Sequence, residues 1–349
     1  MKILGIESSC DETAASIVQD GRILLSNVIN SQIDIHTVYG GVVPEVAARS
    51  HIEVINPVIN QAIAEANLNW DDVDAIAVTY APGLVGSLLI GTLAARTLAI
   101  LKNKPLYPVH HVEAHVYANF LNKIEPKFPI LALIVSGGHC QIVLFHDHGD
   151  YELLGQTQDD AVGEAFDKVA KIIGLPYPGG PSIAKEAKNG NPLAYKLPKS
   201  KLSGKYDFSF SGLKTAVLRA VQREVGVDFT FPSTGLAELL NSTQRIDFAA
   251  SFQRTAIETL VEKTKLAFYD FNPKSVVIAG GVAANQELRR ILSEQIPIPI
   301  EYAPIDLCTD NAAMVATLGY YHAQKKKPTS PFELEVIPSL SMTKTTWSS

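Results

Sequence analysis

The chain has 349 residues, which is enough for about two domains with a substantial buried core. Hydrophobic residues make up 46%, charged residues 19%, and the mean hydropathy is +0.10, values that exclude a disordered chain and a polytopic membrane protein. The formal net charge is −6, so any nucleic acid must bind to a local basic surface and not to the field of the whole molecule. Three scattered cysteines and an N-terminus unlike a secretory signal predict a cytoplasmic protein.

The chain opens with a pattern of three strands that is repeated later. Residues 3–27 predict an apolar strand, a small polar turn, an alternating strand, a hairpin at Asp20-Gly21 and a third strand. The same order begins again at Ile130. Residues 73–99 and 274–292 each predict a strand, a glycine turn and a helix. This repetition predicts a duplicated α/β fold of two lobes, with ligands bound in a cleft between them at the glycine turns.

Further helices are predicted between these elements. They span residues 44–66, about 110–120, 163–173, 212–224, 237–268 and 309–324. Residues 75–95 contain no charged side chain and are long enough to cross a bilayer. Because Pro82-Gly83 divides them, they predict a buried strand, a turn and a helix, and no contact with a membrane. The segment from Lys325 onward has no clear period and is left without an assignment.

The segment HHVEAH, which begins at His110, is the sharpest local signal. On a helix, His111 and His115 project from one face and can bind one metal ion, although surface histidines with this spacing are the alternative. Val112 stands where an HExxH protease has its catalytic glutamate, so that base is missing. Asp310 is a candidate third ligand, because two imidazoles and a carboxylate suit Zn²⁺ or Fe²⁺. The alternative is an acid that caps the last helix.

Three glycine turns in the second half predict contact with phosphate or carboxylate oxygens. IVSGGH at residues 134–139 follows an apolar strand and leaves backbone N–H groups accessible, unless it is a plain hairpin turn. YPGGPS at 177–182 and AGGVAANQ at 279–286 supply two more, the last one at a helix N-terminus. None matches the P-loop or the Rossmann fingerprint, but together they favour a nucleotide ligand.

Acidic side chains in two segments are candidate polar contacts. ESSCDET places Asp11 and Glu12 in the first hairpin turn, where they orient an amine or take its proton, unless the turn is merely solvated. GEAFDKVAK places Asp167 on a helix, where it holds a ligand hydroxyl or balances surface charge.

Residues 185–205 form a lysine-rich segment, with six lysines against the single acid Glu186. In a chain of net charge −6, this segment is a candidate footprint for a nucleic-acid backbone. A solvated loop is the commoner meaning of such a run.

Taken together, these segments closely resemble the TsaD family, formerly called the O-sialoglycoprotein endopeptidase family. The resemblance extends over most of the chain, from ESSCDET through HTVYGGVVPEVAARSH, APGLVGSLLIG, PVHHVEAH, IVSGGH, GEAFDKVAK, YPGGPS, FSFSGLKT and GGVAANQELR to CTDNAAM. It implies the duplicated fold of actin, Hsp70 and sugar kinases. Residues 1–127 with 305–327 are expected to form the N-terminal lobe, 128–304 the C-terminal lobe and 328–349 a tail.

The resemblance also implies an activity. Family members transfer a threonylcarbamoyl group from threonylcarbamoyl-adenylate to the N6 amine of the adenosine 3′ of the anticodon, in tRNAs that read ANN codons. Partner proteins like TsaB and TsaE, and an adenylate supply from an enzyme like TsaC, are implied as well. A small-molecule kinase of the same fold, a metalloprotease and a non-catalytic scaffold are the alternatives.

Functional residues follow from the same resemblance. The implied ligands of one Fe²⁺ or Zn²⁺ are His111, His115 and Asp310. The implied contacts of the adenylate, or of ATP or ADP, are Ile134, Val135, Ser136, Gly137, Gly138, Asp167, Gly180 and Asn285. Asp11 and Glu12 are the candidate catalytic acids.

Overall fold

A computed structural model describes residues 1–122 and 124–343 and contains ten strands and ten α-helices in those ranges. The strands are β1 Lys2–Glu7, β2 Glu12–Gln19, β3 Ile23–Ser31, β4 Ala75–Ala81, β5 Leu106–His110, β6 Ile130–Val135, β7 Cys140–Asp147, β8 Asp150–Gln156, β9 Ser275–Ala279 and β10 Ile300–Tyr302. The helices are α1 Ile33–Thr37, α2 Pro44–Glu65, α3 Val85–Lys102, α4 His111–Tyr117, α5 Val162–Ile173, α6 Gly179–Ala187, α7 Ser211–Glu224, α8 Ser242–Phe271, α9 Gln286–Gln295 and α10 Ala312–Lys325.

The strands form two five-stranded sheets of the same order. The first sheet is arranged β3-β2-β1-β4-β5 and the second β8-β7-β6-β9-β10. In the first sheet β1 pairs antiparallel with β2 and parallel with β4, while β6 pairs parallel with β9 in the second. In each sheet, strands joined by tight turns are thus followed by strands that enter the same sheet after a helical segment. The predicted duplicated α/β fold is confirmed.

The chain divides into two compact units. The first comprises Met1–Phe128, Phe145–Glu152 and Glu301–Ser349, as far as these ranges are described, and the second comprises Pro129–Leu144 and Leu153–Ile300. In the first unit, apolar residues of β1, β2 and β4 pack against α2 and α3 in one hydrophobic core. In the second, α8 packs against α6 and α9, and the Phe252 ring meets Phe166 of α5 edge-on.

A glycine in β1 brings α10 close to the first sheet. A Cβ atom on Gly5 would lie only 2.2 Å from the carbonyl oxygen of Ala312 and 2.7 Å from the amide nitrogen of Ala316. Any side chain at this position would push α10 away, and with it the residues just before the helix. Asp310 is one of those residues.

Most predicted helices are confirmed, with shifts at their ends. The helix predicted from residue 237 begins at Ser242, because Asn241 and Gln244 form a reciprocal capping box there. Helix α6 was not predicted. The uncharged segment forms β4 and α3, divided at Pro82-Gly83 as predicted. By length and composition, helix α3 could cross a membrane, but a single such helix is weak support for a membrane span. This helix packs against α2 and β4.

The segment left without an assignment forms an extended strap on the first unit. Thr329 N–H donates to the Leu106 carbonyl, Ile337 N–H donates to the Tyr80 carbonyl, and Leu334 is buried in the core. Hydrogen bonds across more than two hundred residues of sequence therefore join this strap to the edge strand β5 and to the end of β4. The end of the predicted tail, residues 344–349, lies outside the described part of the chain.

Candidate metal centre

The helix that carries both histidines is fixed at its start by His110. This residue ends β5, and its Nδ1 accepts a hydrogen bond from the Glu113 amide, which caps α4. Its Nε2 lies 3.2 Å from the Leu340 carbonyl of the strap and must donate to it. Burial lowers the pKa of His110 to about 4, in agreement with this neutral tautomer. The strap and the strand thus hold the first turn of α4 together.

His111, His115 and Asp310 converge on one point. The two imidazole rings are 4.7 Å apart between centroids, and Asp310 Oδ1 lies 3.6 Å from His111 Nε2 and 3.3 Å from His115 Nε2. One potential ligand atom from each residue lies within 4.8 Å of the other two. The structure therefore brings together the three predicted ligands, although Asp310 is almost two hundred residues from the two histidines in sequence.

The protonation chemistry of this cluster fits a metal ion. Only 1% of His115 is exposed, and within the described residues neither of its ring nitrogens makes a hydrogen bond. The Asp310 oxygen is near enough to Nε2, but it is outside hydrogen-bonding geometry. A buried imidazole without partners is costly unless another group satisfies it. Two imidazoles and one carboxylate suit Zn²⁺ or Fe²⁺ and leave positions open for a substrate.

A buried carboxylate behind the cluster orients His111. The Nδ1 atom of His111 lies 3.1 Å from Glu7 Oε2 and 3.1 Å from Ser9 Oγ. Glu7 also accepts hydrogen bonds from the Ser9 amide and the Thr79 hydroxyl, each at 2.6 Å. With its proton on Nδ1, His111 turns the lone pair of Nε2 towards Asp310. This is the carboxylate–histidine arrangement that usually supports a metal ligand.

The charges at the cluster affect one another strongly. Burial lowers the pKa of His111, but the charges of Asp310 and Glu7 outweigh this effect and raise the pKa to about 9. Burial raises the pKa of Glu7, but the attraction of His111 lowers it below its usual value. A metal ion at this cluster must therefore displace a proton from His111 at neutral pH.

Asp11 and Glu12 lie in the same unit as the three ligands. Asp11 is buried in the turn after β1, and Glu12, the first residue of β2, accepts a hydrogen bond from the Ser31 hydroxyl at 3.1 Å. Burial, together with the charges of Asp310 and Asp11, raises the pKa of Glu12 to about 10. The turn thus carries one buried and one partly buried acid that interact with each other, and it is not an ordinary solvated turn.

The glycine turns of the second unit contact one another. The Ser136 carbonyl accepts from the Gly163 amide at 3.2 Å, and a Cβ on Gly280 would lie 2.4 Å from the Val135 carbonyl oxygen. Ile134 and Val135 are fully buried in β6, so a ligand beside the turn meets neither of their side chains. In contrast, a Cβ on Gly137 or Gly138 would meet no atom within 4 Å. These two exposed glycines leave open space beside the turn.

The remaining predicted nucleotide contacts carry structural hydrogen bonds. Asp167 accepts from the Gly179 amide at 2.6 Å, where α6 begins, and Gly180 is the next residue of that helix. Asn285 caps α9 by accepting from the amides of Glu287 and Leu288, and its amide group donates to Gln253. A ligand at these positions would meet side chains that already orient the surrounding helices.

Part of the lysine-rich segment is neutralised. Lys199 forms ion pairs with Glu258 and Glu262, and Lys205 pairs with Asp270. Lys201 and Lys196 lie exposed in the same segment. The local positive charge is therefore smaller than the composition of residues 185–205 indicates.

Sequence analysis missed the groups that support His111. Glu7, Ser9 and Thr79 were not among the predicted site residues, yet all three belong to one buried hydrogen-bonded set. The available signal was a carboxylate that continues the apolar strand β1 without interrupting it, since a buried acid requires partners.

Comparison with known proteins identifies close relatives. The family described as TsaD, tRNA N6-adenosine threonylcarbamoyltransferase, matches residues 23–317. The chain is 52% identical over 338 residues to a protein of that name from Thermomicrobium roseum, covering 93% of each chain. It is 50% identical over 343 residues to one from Dehalococcoides mccartyi, covering 98% of this chain and 100% of the relative.

Solved structures share the fold at low sequence identity. HypF of T. kodakarensis matches with a TM-score of 0.61 and 13% identity, over 93% of this chain and 48% of that one. The activator of the 2-hydroxyisocaproyl-CoA dehydratase from Clostridium difficile, with bound ADPNP, matches with a TM-score of 0.51 and 13% identity, over 97% and 99%. At this identity the likeness concerns the fold alone.

Proposed function

The chain belongs to the TsaD family of tRNA N6-adenosine threonylcarbamoyltransferases, and we propose that it carries out this transfer at a metal centre formed by His111, His115 and Asp310. It is an enzyme of tRNA modification with the duplicated fold of actin, Hsp70 and sugar kinases. The observation that carries the proposal is the pair of buried His115 ring nitrogens, which among the described residues lack hydrogen bonds and lie beside Asp310.

We assign the centre to one Fe²⁺ or Zn²⁺ per chain, because neutral imidazole and carboxylate accept both ions. When bound, such an ion supplies Lewis-acid polarisation of the acyl phosphate of the donor. The chain's own contribution is the orientation of His111, since Glu7 holds its Nδ1 proton and directs Nε2 towards the ion. Thr79 and the Ser9 amide in turn fix the Glu7 carboxylate.

The reaction requires positioning more than a strong base. The donor, threonylcarbamoyl-adenylate, is a mixed anhydride with a good phosphate leaving group, whereas the adenine N6 amine is a weak nucleophile because its lone pair is delocalised. We propose that Asp11 and Glu12 orient this amine and that Asp11 receives its proton as the new bond forms, because the raised pKa of Glu12 keeps that carboxyl protonated at neutral pH. Support comes from the position of both residues in the unit that also holds the three ligands, with Asp11 buried and Glu12 partly buried.

We propose that the second unit binds the adenylate, or ATP or ADP, at its glycine turns. The backbone N–H groups from Ser136 to Gly138 are suited to stabilising charge on the phosphate. The open space beside Gly138 supports this role, and a Gly138→Leu variant is expected to weaken nucleotide binding at least tenfold in a calorimetric titration. Gly212→Ala is the matched control, because its added methyl group meets only the Ser200 hydroxyl at 3.5 Å.

The reaction is also proposed to involve partner proteins. We propose that proteins like TsaB and TsaE assist the reaction and that an enzyme like TsaC supplies the adenylate. An apolar stripe on α3, formed by Val85, Leu89 and Leu93 at intervals of four residues, is exposed and supports docking of a protein. Leu89→Glu with Leu93→Glu should abolish co-elution with a TsaB-like partner, whereas Leu193→Glu, at an exposed leucine of the other unit, should not.

We propose the cytoplasm as the location. Cys10, Cys140 and Cys308 are all free thiols, and Cys140 and Cys308 are buried. Burial raises the pKa of the Cys140 thiol well above its usual value, so this thiol beside the IVSGGH turn is unreactive.

The proposed function is tested by supplying the purified protein with unmodified tRNA and threonylcarbamoyl-adenylate, with and without the partner proteins. Formation of threonylcarbamoyladenosine is expected, and it should be lost in the His111→Ala, His115→Ala variant. ATP-dependent phosphorylation of a small molecule, or metal-dependent release of peptides, would instead support the kinase or the protease. A protein that binds partners but neither metal nor nucleotide would be a scaffold.

A further inference from the structure

A buried histidine outside the metal cluster lies behind the turn that carries Asp11 and Glu12. His51, in α2, is completely buried and uses both ring nitrogens. Its Nε2 lies 3.0 Å from the Cys10 carbonyl oxygen, and its Nδ1 lies 2.7 Å from the Thr13 hydroxyl. Cys10 and Thr13 are the two residues that flank Asp11 and Glu12. One side chain therefore holds the turn at both ends.

The partners define the protonation of this ring. A carbonyl oxygen only accepts, so Nε2 of His51 carries the proton, and Nδ1 accepts from the Thr13 hydroxyl. Burial lowers the pKa of His51, which agrees with a neutral ring in spite of the nearby carboxylates. The Ser87 hydroxyl also donates to the Cys10 carbonyl, at 3.1 Å.

A chain of hydrogen bonds extends from His51 to the loop before α2. Gln32 donates from Nε2 to Nδ1 of His51 at 3.5 Å and accepts at Oε1 from Nε2 of His36 at 3.1 Å. The Val43 amide donates to Nδ1 of His36 at 3.3 Å. The Gln32 amide also donates to the Asp11 carbonyl. Every donor meets an acceptor when both histidines carry their proton on Nε2, so the chain has one consistent direction.

We infer that His51 is a positioning residue for the transfer, because it clamps Cys10 and Thr13 and so fixes the carboxyl groups of Asp11 and Glu12, with Gln32 and His36 supporting the ring. This inference rests on the proposed role of Asp11 and Glu12. Neither His51 nor its partners Cys10 and Thr13 belong to the three-residue metal cluster, so the clamp acts separately from metal binding.

The test compares variants of the full-length protein by kcat, KM for tRNA and metal content. His51→Leu removes both hydrogen bonds and is expected to lower kcat about 10- to 100-fold, since small displacements of reacting groups have effects of this size. KM is expected to change less than about twofold, and the metal content should be unchanged. His51→Gln retains an amide donor that reaches the Cys10 carbonyl and should recover most of the lost kcat.

A second pair of variants keeps the test valid if His51→Leu fails to fold. Thr13→Val preserves the shape of the side chain but removes the hydroxyl that donates to His51, and it should lower kcat severalfold. Thr92→Val is its matched control, because the Thr92 hydroxyl is buried in α3 and bonds only to carbonyls of that helix. The control is expected to retain full kcat.

Asp11→Asn and Glu12→Gln are measured beside these variants to separate the two ideas. If both are slow while His51→Leu and Thr13→Val retain the kcat of the parent protein, the positioning role of His51 is wrong and the role of the turn stands. If Asp11→Asn and Glu12→Gln are both as fast as the parent protein, the proposed role of the turn fails, and the inference fails with it. Loss of metal in His51→Leu, or no recovery in His51→Gln, would point to a merely structural role and overturn the inference.

Discussion

Replacement of Glu7 by glutamine tests the support of the metal centre with the smallest change of shape. Glu7 Oε1 accepts from the Ser9 amide, and Oε2 accepts from the Thr79 hydroxyl and from Nδ1 of His111. Glutamine has one oxygen and one NH₂ group, so it cannot accept at both positions. If its oxygen faces Ser9, the NH₂ group faces two donors, and if it is flipped, the NH₂ group faces the Ser9 amide.

The easiest adjustment moves the proton of His111. The ring then accepts from the glutamine NH₂ group at Nδ1 and carries its proton on Nε2, the atom that points to Asp310. That tautomer cannot bind a metal through Nε2. Loss of such an orienting partner usually weakens metal binding about 10- to 100-fold, which corresponds to about 1.4–2.7 kcal/mol. We expect an effect in this range for Glu7→Gln.

The assay is a competition titration of Zn²⁺ between the protein and a chromophoric chelator at fixed pH. Asp74→Asn is the control, since Asp74 accepts from the amide of Lys2 at the start of β1, at the end of the strand opposite Glu7. Its metal affinity should match that of the parent protein. An unchanged affinity in a folded Glu7→Gln protein would refute the orientation of His111 by Glu7.

Three further predictions concern the strap, the buried histidines and the lysine-rich segment. Removal of all residues after Lys327 leaves Nε2 of His110 without its carbonyl partner. This truncation should weaken Zn²⁺ binding at least severalfold in the same titration. Equal affinity would mean that the strap does not support α4. Burial lowers the pKa of His110 to about 4 and that of His322 well below its usual value, so the unfolded chain binds more protons between about pH 6.5 and 4. As the pH is lowered through this window, the free energy of unfolding in urea should fall by about 3 kcal/mol more in the parent protein than in a His110→Gln variant, which lacks this group, and parallel profiles would contradict it. Lys201→Glu should weaken tRNA binding and flatten its salt dependence more than Lys199→Glu, because Lys199 is already paired with two glutamates and is less available to a phosphate; the reverse order would exclude the predicted footprint.

Local sequence patterns predict those parts of the site whose residues lie close together in sequence. The spacing of His111 and His115 predicts a shared face on any helix, and the cluster in the structure has that geometry. The repeated order of strands and glycine turns likewise predicts both sheets, because alternation and turn residues are local properties. Asp310 was a candidate third ligand from its chemistry, with a helix-capping acid as the alternative, and the family resemblance favoured the ligand, since nothing near residue 310 indicates α4.

The contacts that support His111 and the turn after β1 could not be predicted from the sequence, because they join distant segments. Glu7 meets His111 across 104 residues, and His51 meets Cys10 across 41. Nothing in either local pattern indicates the partner, since a buried acid or histidine requires some partner without specifying which. The strap has neither helical nor strand periodicity, because its backbone bonds to single residues of β5 and to the end of β4. Its hydrogen bonds are therefore visible only in the folded chain.

The most direct test of the central claim is a titration of metal-free protein with Zn²⁺ or Fe²⁺, followed by the rate of threonylcarbamoyladenosine formation on unmodified tRNA. The rate is expected to rise linearly and to stop rising at one metal ion per chain. Asp310→Asn should require far more metal and reach a lower plateau. Full activity of the metal-free protein, or a titration unaffected by Asp310→Asn, would contradict transfer at this centre.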